Sequence, residues 1–131
     1  MTPPAPDDYD LPINAMRSSH RRDRDMIDAT QINEAVRRLA EGFQPDKIIL
    51  FGSQARGTAD DKSDADFLVI MPAAPRRRIL ATEMDWALSG LEFARDIVVL
   101  TAEEYKTGRD IPGTIARLAS QEGRVLYERP E

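Results

Sequence analysis

Three short, almost uninterrupted apolar runs decide what this chain can become: Lys47-Ile48-Ile49-Leu50-Phe51, Ala65 to Met71, and Asp96-Ile97-Val98-Val99-Leu100. A strand wet on one face alternates apolar and polar residues, so a continuous apolar run implies a strand buried on both faces. Such strands need helices to cover them, and amphipathic stretches lie between the runs. The pattern predicts an α/β (α+β) domain: a small mixed sheet of three or four strands flanked by helices.

The covering elements follow from spacing. Ile32, Ala35, Val36, Leu39, Ala40 and Phe43 recur at helical intervals. Thr30 can cap that helix, and Gly42 and Pro45 end it. A polar loop with a short helix follows the first strand, and Pro72 and Pro75 close off the second. Arg76 to about Leu91 reads as a second amphipathic helix, with Ile79, Leu80, Met84, Ala87, Leu88 and Leu91 on one side. Trp86 falls off that stripe, which leaves packing and a functional surface both open for it. Thr101 with Glu104 forms a capping box for a short helix. Ile111-Pro112 opens a last helix through Ile115, Leu118 and Ala119 to Gly123, and Arg124 to Tyr127 forms a closing strand.

The 131 residues leave room for one modest core. Residues 1–28 differ from the rest. They hold four of the nine prolines, with four basic and six acidic residues, and few apolar ones. Such a stretch buries too little surface to offset its ordering entropy. It is expected to be a flexible or partner-dependent arm, with residues 29–131 as the folded domain. No apolar run approaches the roughly 20 residues that span a membrane, and the N-terminus lacks a signal-peptide pattern, so a cytoplasmic protein is expected.

Composition removes whole classes of chemistry. There is no cysteine, hence no disulfide, no thiolate zinc site and no Cys nucleophile. There is one histidine, His20, in the N-terminal stretch, so His-rich metal sites and most Ser-His-Asp schemes lose their key member. The formal charge of −5 argues against strong direct nucleic-acid binding over a broad basic face. Catalysis here must come from carboxylates, hydroxyls, Arg, Lys and backbone.

Side chains alternate faces along a strand, so Asp64 and Asp66 point the same way at the start of the second strand. Carboxylates held that close raise each other's pKa, and a hard divalent cation such as Mg²⁺ or Mn²⁺ would relieve the repulsion. Asp96 opens another strand; if the two strands are neighbours, the three acids form one cradle. Alternatively, Asp64 and Asp66 cap a loop and a strand end, as Asp commonly does. Gly52-Ser53-Gln54-Ala55-Arg56-Gly57 ends the first strand. A glycine there brings backbone N–H groups close to phosphate oxygens, Ser53 adds a hydroxyl donor, and Arg56 can reach the same anion. Taken alone, the stretch reads more readily as a Gly-Ser turn with a surface Arg.

Leu50-Phe51-Gly52-Ser53-Gln54-Ala55-Arg56-Gly57, then Ser63-Asp64-Ala65-Asp66-Phe67-Leu68-Val69, then Asp96-Ile97-Val98-Val99, resembles the minimal nucleotidyltransferases of the polymerase-beta-like superfamily. Their pattern is G-S-x-A-R-G, a short loop, S-D-x-D, and a later strand with a third Asp. The resemblance covers about residues 30–127, and Glu122 to Glu128 is similar to the way these small proteins end. It implies that Gly52 and Ser53 bind the triphosphate and that Arg56 and Ser63 support the nucleotide. It implies that Asp64, Asp66 and Asp96 are the metal-binding, catalytic acids, with Asp96 activating the acceptor hydroxyl. The cofactor implied is Mg²⁺ or Mn²⁺, and the substrate ATP. Gln54 sits at a variable position. Ala65 is smaller than the branched residue usual between the two acids.

Relatives in that group are often encoded beside an all-helical HEPN protein. The resemblance therefore implies an antitoxin that transfers AMP to a hydroxyl, a tyrosine in that family, of a HEPN-type toxin. Two alternatives stand beside it: an antitoxin that masks its partner without catalysis, and a transferase acting on a small molecule or RNA. The latter usually carries a further domain, for which 131 residues leave little room. An incomplete pocket is expected to borrow its acceptor site from a partner or a second copy.

Overall fold

Strands β1 (Lys47–Phe51), β2 (Ala65–Met71), β3 (Arg95–Thr101) and β4 (Arg124–Glu128) join in one sheet in the order β3-β2-β1-β4. The computed structural model describes residues 29–52 and 64–130. Strand β1 runs antiparallel to β2 and to β4, while β2 and β3 are parallel. A parallel pair needs a long crossover, supplied by the segment that carries α2 (Arg77–Ala87). The sheet is thus mixed and four-stranded, as the sequence predicts.

Alternation along the strands explains their continuous apolar character. Ile48, Leu50, Phe67 and Val69 pack on one face with Ile32, Val36 and Leu39 of α1 (Ala29–Phe43) and Met84 of α2. Ile49, Phe51, Leu68 and Ile70 pack on the other with Tyr105 of α3 (Ala102–Gly108) and Ala116 and Ala119 of α4 (Ile115–Glu122). Both faces are covered, so neither set of positions could be polar. None of the helices among the described residues is long and apolar enough to cross a membrane.

The helices depart from the sequence reading in instructive places. Thr30 lies within α1 rather than ahead of it, and Gly42 is still helical. The left-handed residue that ends α1 is Gln44 (φ 53°), whose N–H donates to the Ala40 carbonyl at 3.1 Å. Helix α2 is shorter than Arg76–Leu91. Its buried positions are Met84 and the following Leu88, with Leu80 partly covered, while Ile79 is 51% exposed. Leu80, Met84 and Leu88 form a narrow i, i+4, i+8 row, and Ile79 stands one residue off it.

Helix α4 begins at Ile115, not at Ile111-Pro112. Gly113 takes φ 87° and Thr114 caps the helix, its Oγ1 accepting from the Arg117 N–H at 3.1 Å. Ala116 and Ala119 face the sheet, and Ile115 and Leu118 do not. At Gly123, just past the helix, the Ile49 Cγ2 and the Ala119 carbonyl occupy the space a Cβ would take.

The capping box at α3 is present in full. Thr101 Oγ1 accepts from the Glu104 N–H at 3.1 Å, and Glu104 Oε1 accepts from the Thr101 N–H at 2.9 Å. Arg77 reaches the same Glu104 at 2.8 Å and ties α2 to α3. Thr101→Ala leaves the Glu104 N–H without this acceptor. Chemical denaturation is expected to show a loss of about 1 kcal/mol, with the urea m-value unchanged.

Candidate active site at the sheet end

The register of the central strands brings the predicted acids to one edge of the molecule. Phe51 pairs with Asp66 across β1 and β2, and Asp66 pairs with Asp96 across the parallel β2 and β3. Gly52 follows Phe51 directly. Along this sheet end the order is therefore Gly52, Asp66, Asp96. Asp64 stands one residue ahead of β2, and Asp66 and Asp96 share the face of Leu68 and Val98. Asp64 and Asp96 are exposed; Asp66 is partly buried.

Burial comes first among the causes that push the Asp66 carboxyl above the usual aspartate range. The neighbouring charges of Asp96 and then Asp64 push it further. The ionised carboxylate is thus disfavoured here, and a proton or a cation would relieve it.

Gly52 adds a second reason for this shape. Its φ is 79°, and a Cβ placed on it would collide with Asp66 Oδ2. Only glycine lets the turn after β1 take this conformation and lie against that carboxylate.

Among the described residues, no group of three or more acidic or histidine side chains is arranged to hold a metal. The three aspartates share an edge and a field without forming a preassembled cage. That arrangement suits Mg²⁺, which commonly takes one or two carboxylates and completes its shell from substrate phosphates and water. The donor set is all hard oxygen, which fits Mg²⁺ or Mn²⁺. Asp66, with Asp64 and Asp96 beside it, could hold such an ion. Ser53, Arg56 and Ser63, expected at the nucleotide, lie outside the described residues, as does the expected arm over residues 1–28.

A recess of about 310 Å³ adjoins Asp96 at the β3 edge, and no sequence pattern marks it. Trp86 contributes to it and is 72% exposed, so the packing role open for it in the sequence is not the one it has. Its displacement from the apolar stripe of α2 was the available signal.

A mixed four-stranded sheet flanked by helices, with aspartates at the end of its parallel pair, is a nucleotidyltransferase fold. The chain belongs to the nucleotidyltransferase domain family, whose model matches residues 30–122. It is 48% identical over 50 residues to a candidate protein adenylyltransferase of Methanocaldococcus jannaschii. That match takes in 37% of this chain, and the chain spans only about a third (34%) of the relative's length. The fold is similar to that of a candidate nucleotidyltransferase from Sulfolobus solfataricus, with TM-score 0.55 and 21% identity over 91% of each chain. A crystal structure of a toxin–antitoxin with AMP-PNP aligns more loosely, at TM-score 0.47 and 21% identity over 74% of this chain and 73% of that one.

Proposed function

We propose that this protein transfers the AMP moiety of ATP to a hydroxyl of a partner polypeptide, and that the partner is a HEPN-type toxin modified on a tyrosine. The reading rests above all on the register that sets Asp66 beside Asp96 on one side and next to Gly52 on the other. The similarity to a candidate protein adenylyltransferase supports a protein as acceptor. The toxin partner, in a hetero-oligomer, rests on the resemblance carried by residues 50–69 and 96–99. A cytoplasmic location, where ATP and Mg²⁺ are both supplied, belongs to the same reading.

In this reading Gly52 and Ser53 present backbone and hydroxyl donors to the triphosphate, with Arg56 and Ser63 in support. Asp64, Asp66 and Asp96 would hold a divalent ion, which would supply charge neutralisation at the phosphate oxygens. The acceptor oxygen bonds to the α-phosphorus as the bond to the α–β bridging oxygen breaks. Pyrophosphate leaves, and the hydroxyl proton passes to Asp96. Positioning and charge carry the reaction, which needs neither Cys nor His.

The test is co-expression with the product of the neighbouring reading frame, followed by intact-mass spectrometry of that partner. One added AMP is expected, dependent on ATP and Mg²⁺. An unmodified partner that is still neutralised by an Asp64→Asn/Asp66→Asn/Asp96→Asn variant would establish masking in place of catalysis. Labelling confined to RNA or a small molecule would move the acceptor to another class.

A further inference from the structure

Asp66 and Asp96 stand side by side but are held differently. Asp66 lies on a central strand, paired with β1 on one side and β3 on the other, with the Gly52 turn against its carboxylate. Asp96 lies on β3, at the edge of the sheet, and pairs with β2 alone among the described strands. Among the described residues its carboxylate has no hydrogen-bond or ion-pair partner. Where that carboxylate points is set by the backbone that carries it.

The residue before it is tied down on the opposite face. By alternation Arg95 projects with Ile97 and Val99, on the side that α2 covers, while Asp96 projects with Val98 and Leu100. The Arg95 side chain is only 12% exposed. Its Nε donates to Asp85 Oδ1 at 2.9 Å, and Nη2 donates to the Asp85 carbonyl at 3.2 Å. Nη1 donates to the Phe93 carbonyl at 3.3 Å and the Leu91 carbonyl at 3.5 Å, and the guanidinium lies 5.7 Å from the centre of the Phe93 ring. One planar fork thus joins the last turn of α2 to the connection that feeds β3, a span that a lysine ammonium cannot reproduce. Between these contacts and Asp96, the Ala94 carbonyl accepts from the Ala65 N–H at 2.9 Å. The start of β3 is pinned to α2 from one face and to β2 along its edge.

We propose that Arg95 is a positioning residue: clamped to Asp85 and to the carbonyls before β3, it sets Asp96 against Asp66 on the other face of the sheet. The proposal deepens the transferase reading and rests on it for the role of Asp96. In that reading Asp96 meets both the acceptor hydroxyl and the divalent ion, and displacements of about 1 Å at such a group are costly.

The test is a double-variant cycle in the full-length protein, combining Arg95→Ala with Asp96→Asn. It is read by kcat for AMP transfer, by Mn²⁺ affinity without ATP from water proton relaxation, and by urea denaturation. Arg95→Ala alone is expected to lower kcat on the order of 100-fold and to leave the KM for ATP unchanged. It should weaken Mn²⁺ binding as far as Asp96→Asn does. Added to Asp96→Asn, it should still cost stability in full but lower neither kcat nor Mn²⁺ affinity further. Arg95→Lys keeps the charge without the fork, should recover little of kcat, and carries the same cycle if Arg95→Ala does not fold. Equal losses from Arg95→Ala with and without the Asp96 carboxylate would overturn the proposal, since a merely structural residue behaves that way. Unchanged kcat and Mn²⁺ affinity in Arg95→Ala would overturn it too, as would a wild type that neither binds Mn²⁺ nor transfers AMP. A wild type that shows the coupling in Mn²⁺ affinity but transfers nothing keeps the positioning role and removes the transferase reading.

Discussion

Asp66→Asn is expected to raise the melting temperature of the metal-free protein at pH 7 and, in the same molecule, to cut AMP transfer by about three orders of magnitude. The two effects share one cause. Burial and the charges of Asp96 and Asp64 lift the Asp66 pKa above its ordinary value of 3.8, so the folded state holds this proton more tightly than the unfolded chain does. A group of that kind favours folding fully below pH 3.8, and the contribution disappears as pH rises through the raised value. At pH 7 the wild type therefore carries a disfavoured carboxylate that the asparagine variant lacks.

Other acids run the opposite way. Glu34, held at about 2 mainly by its hydrogen bonds to Arg37 and Arg38, favours folding as pH rises. The Asp66 effect is accordingly read as the difference between the two proteins. Their melting temperatures should converge near pH 3 and separate toward pH 7, the wild type falling behind. Adding MgCl₂ at pH 7 should raise the wild type and leave the variant largely unmoved, because a ligand stabilises only the fold that binds it. A variant that melts below the wild type at every pH without metal would remove the electrostatic argument. Transfer activity surviving in it would remove the catalytic one.

Much of this was legible in the chain itself, for physical reasons that differ by element. The bounds of β1 and β2 could be read directly, because a strand covered on both faces has no polar position to blur its ends. The pairing of Asp66 with Asp96 could not: it depends on β3 lying parallel to β2, which no local pattern encodes. The helix faces were misread where small residues made the contact. Ile115 and Leu118 are the more hydrophobic, yet Ala116 and Ala119 are the buried positions of α4 and meet the sheet. Trp86 was visible as an exception to its stripe, but its proximity to Asp96 comes from the crossover between β2 and β3.

Gly52→Ala should damage both stability and activity, and comparison with Gly90→Ala separates the reasons. Both glycines have positive φ, 79° and 92°, so alanine at either costs about 1–2 kcal/mol of backbone strain. At Gly90 a Cβ meets nothing within 4 Å, and that strain is the whole effect. At Gly52 the new methyl collides with Asp66 Oδ2 and must displace the carboxylate or the turn. Displacing a reacting group by about 1 Å costs on the order of 100-fold in rate, so AMP transfer should fall at least that far, while Gly90→Ala leaves it intact. Stability should fall further than in Gly90→Ala. A double variant isolates the collision: in Gly52→Ala/Asp66→Ala the clashing oxygen is gone. Relative to Asp66→Ala alone, the added methyl should then cost no more than it does at Gly90, a coupling measurable by urea denaturation of the four proteins. If Gly52→Ala costs the same with and without the Asp66 side chain, then the two residues do not share the space that the structure gives them, and the apposition of turn and carboxylate is lost as the basis of the site.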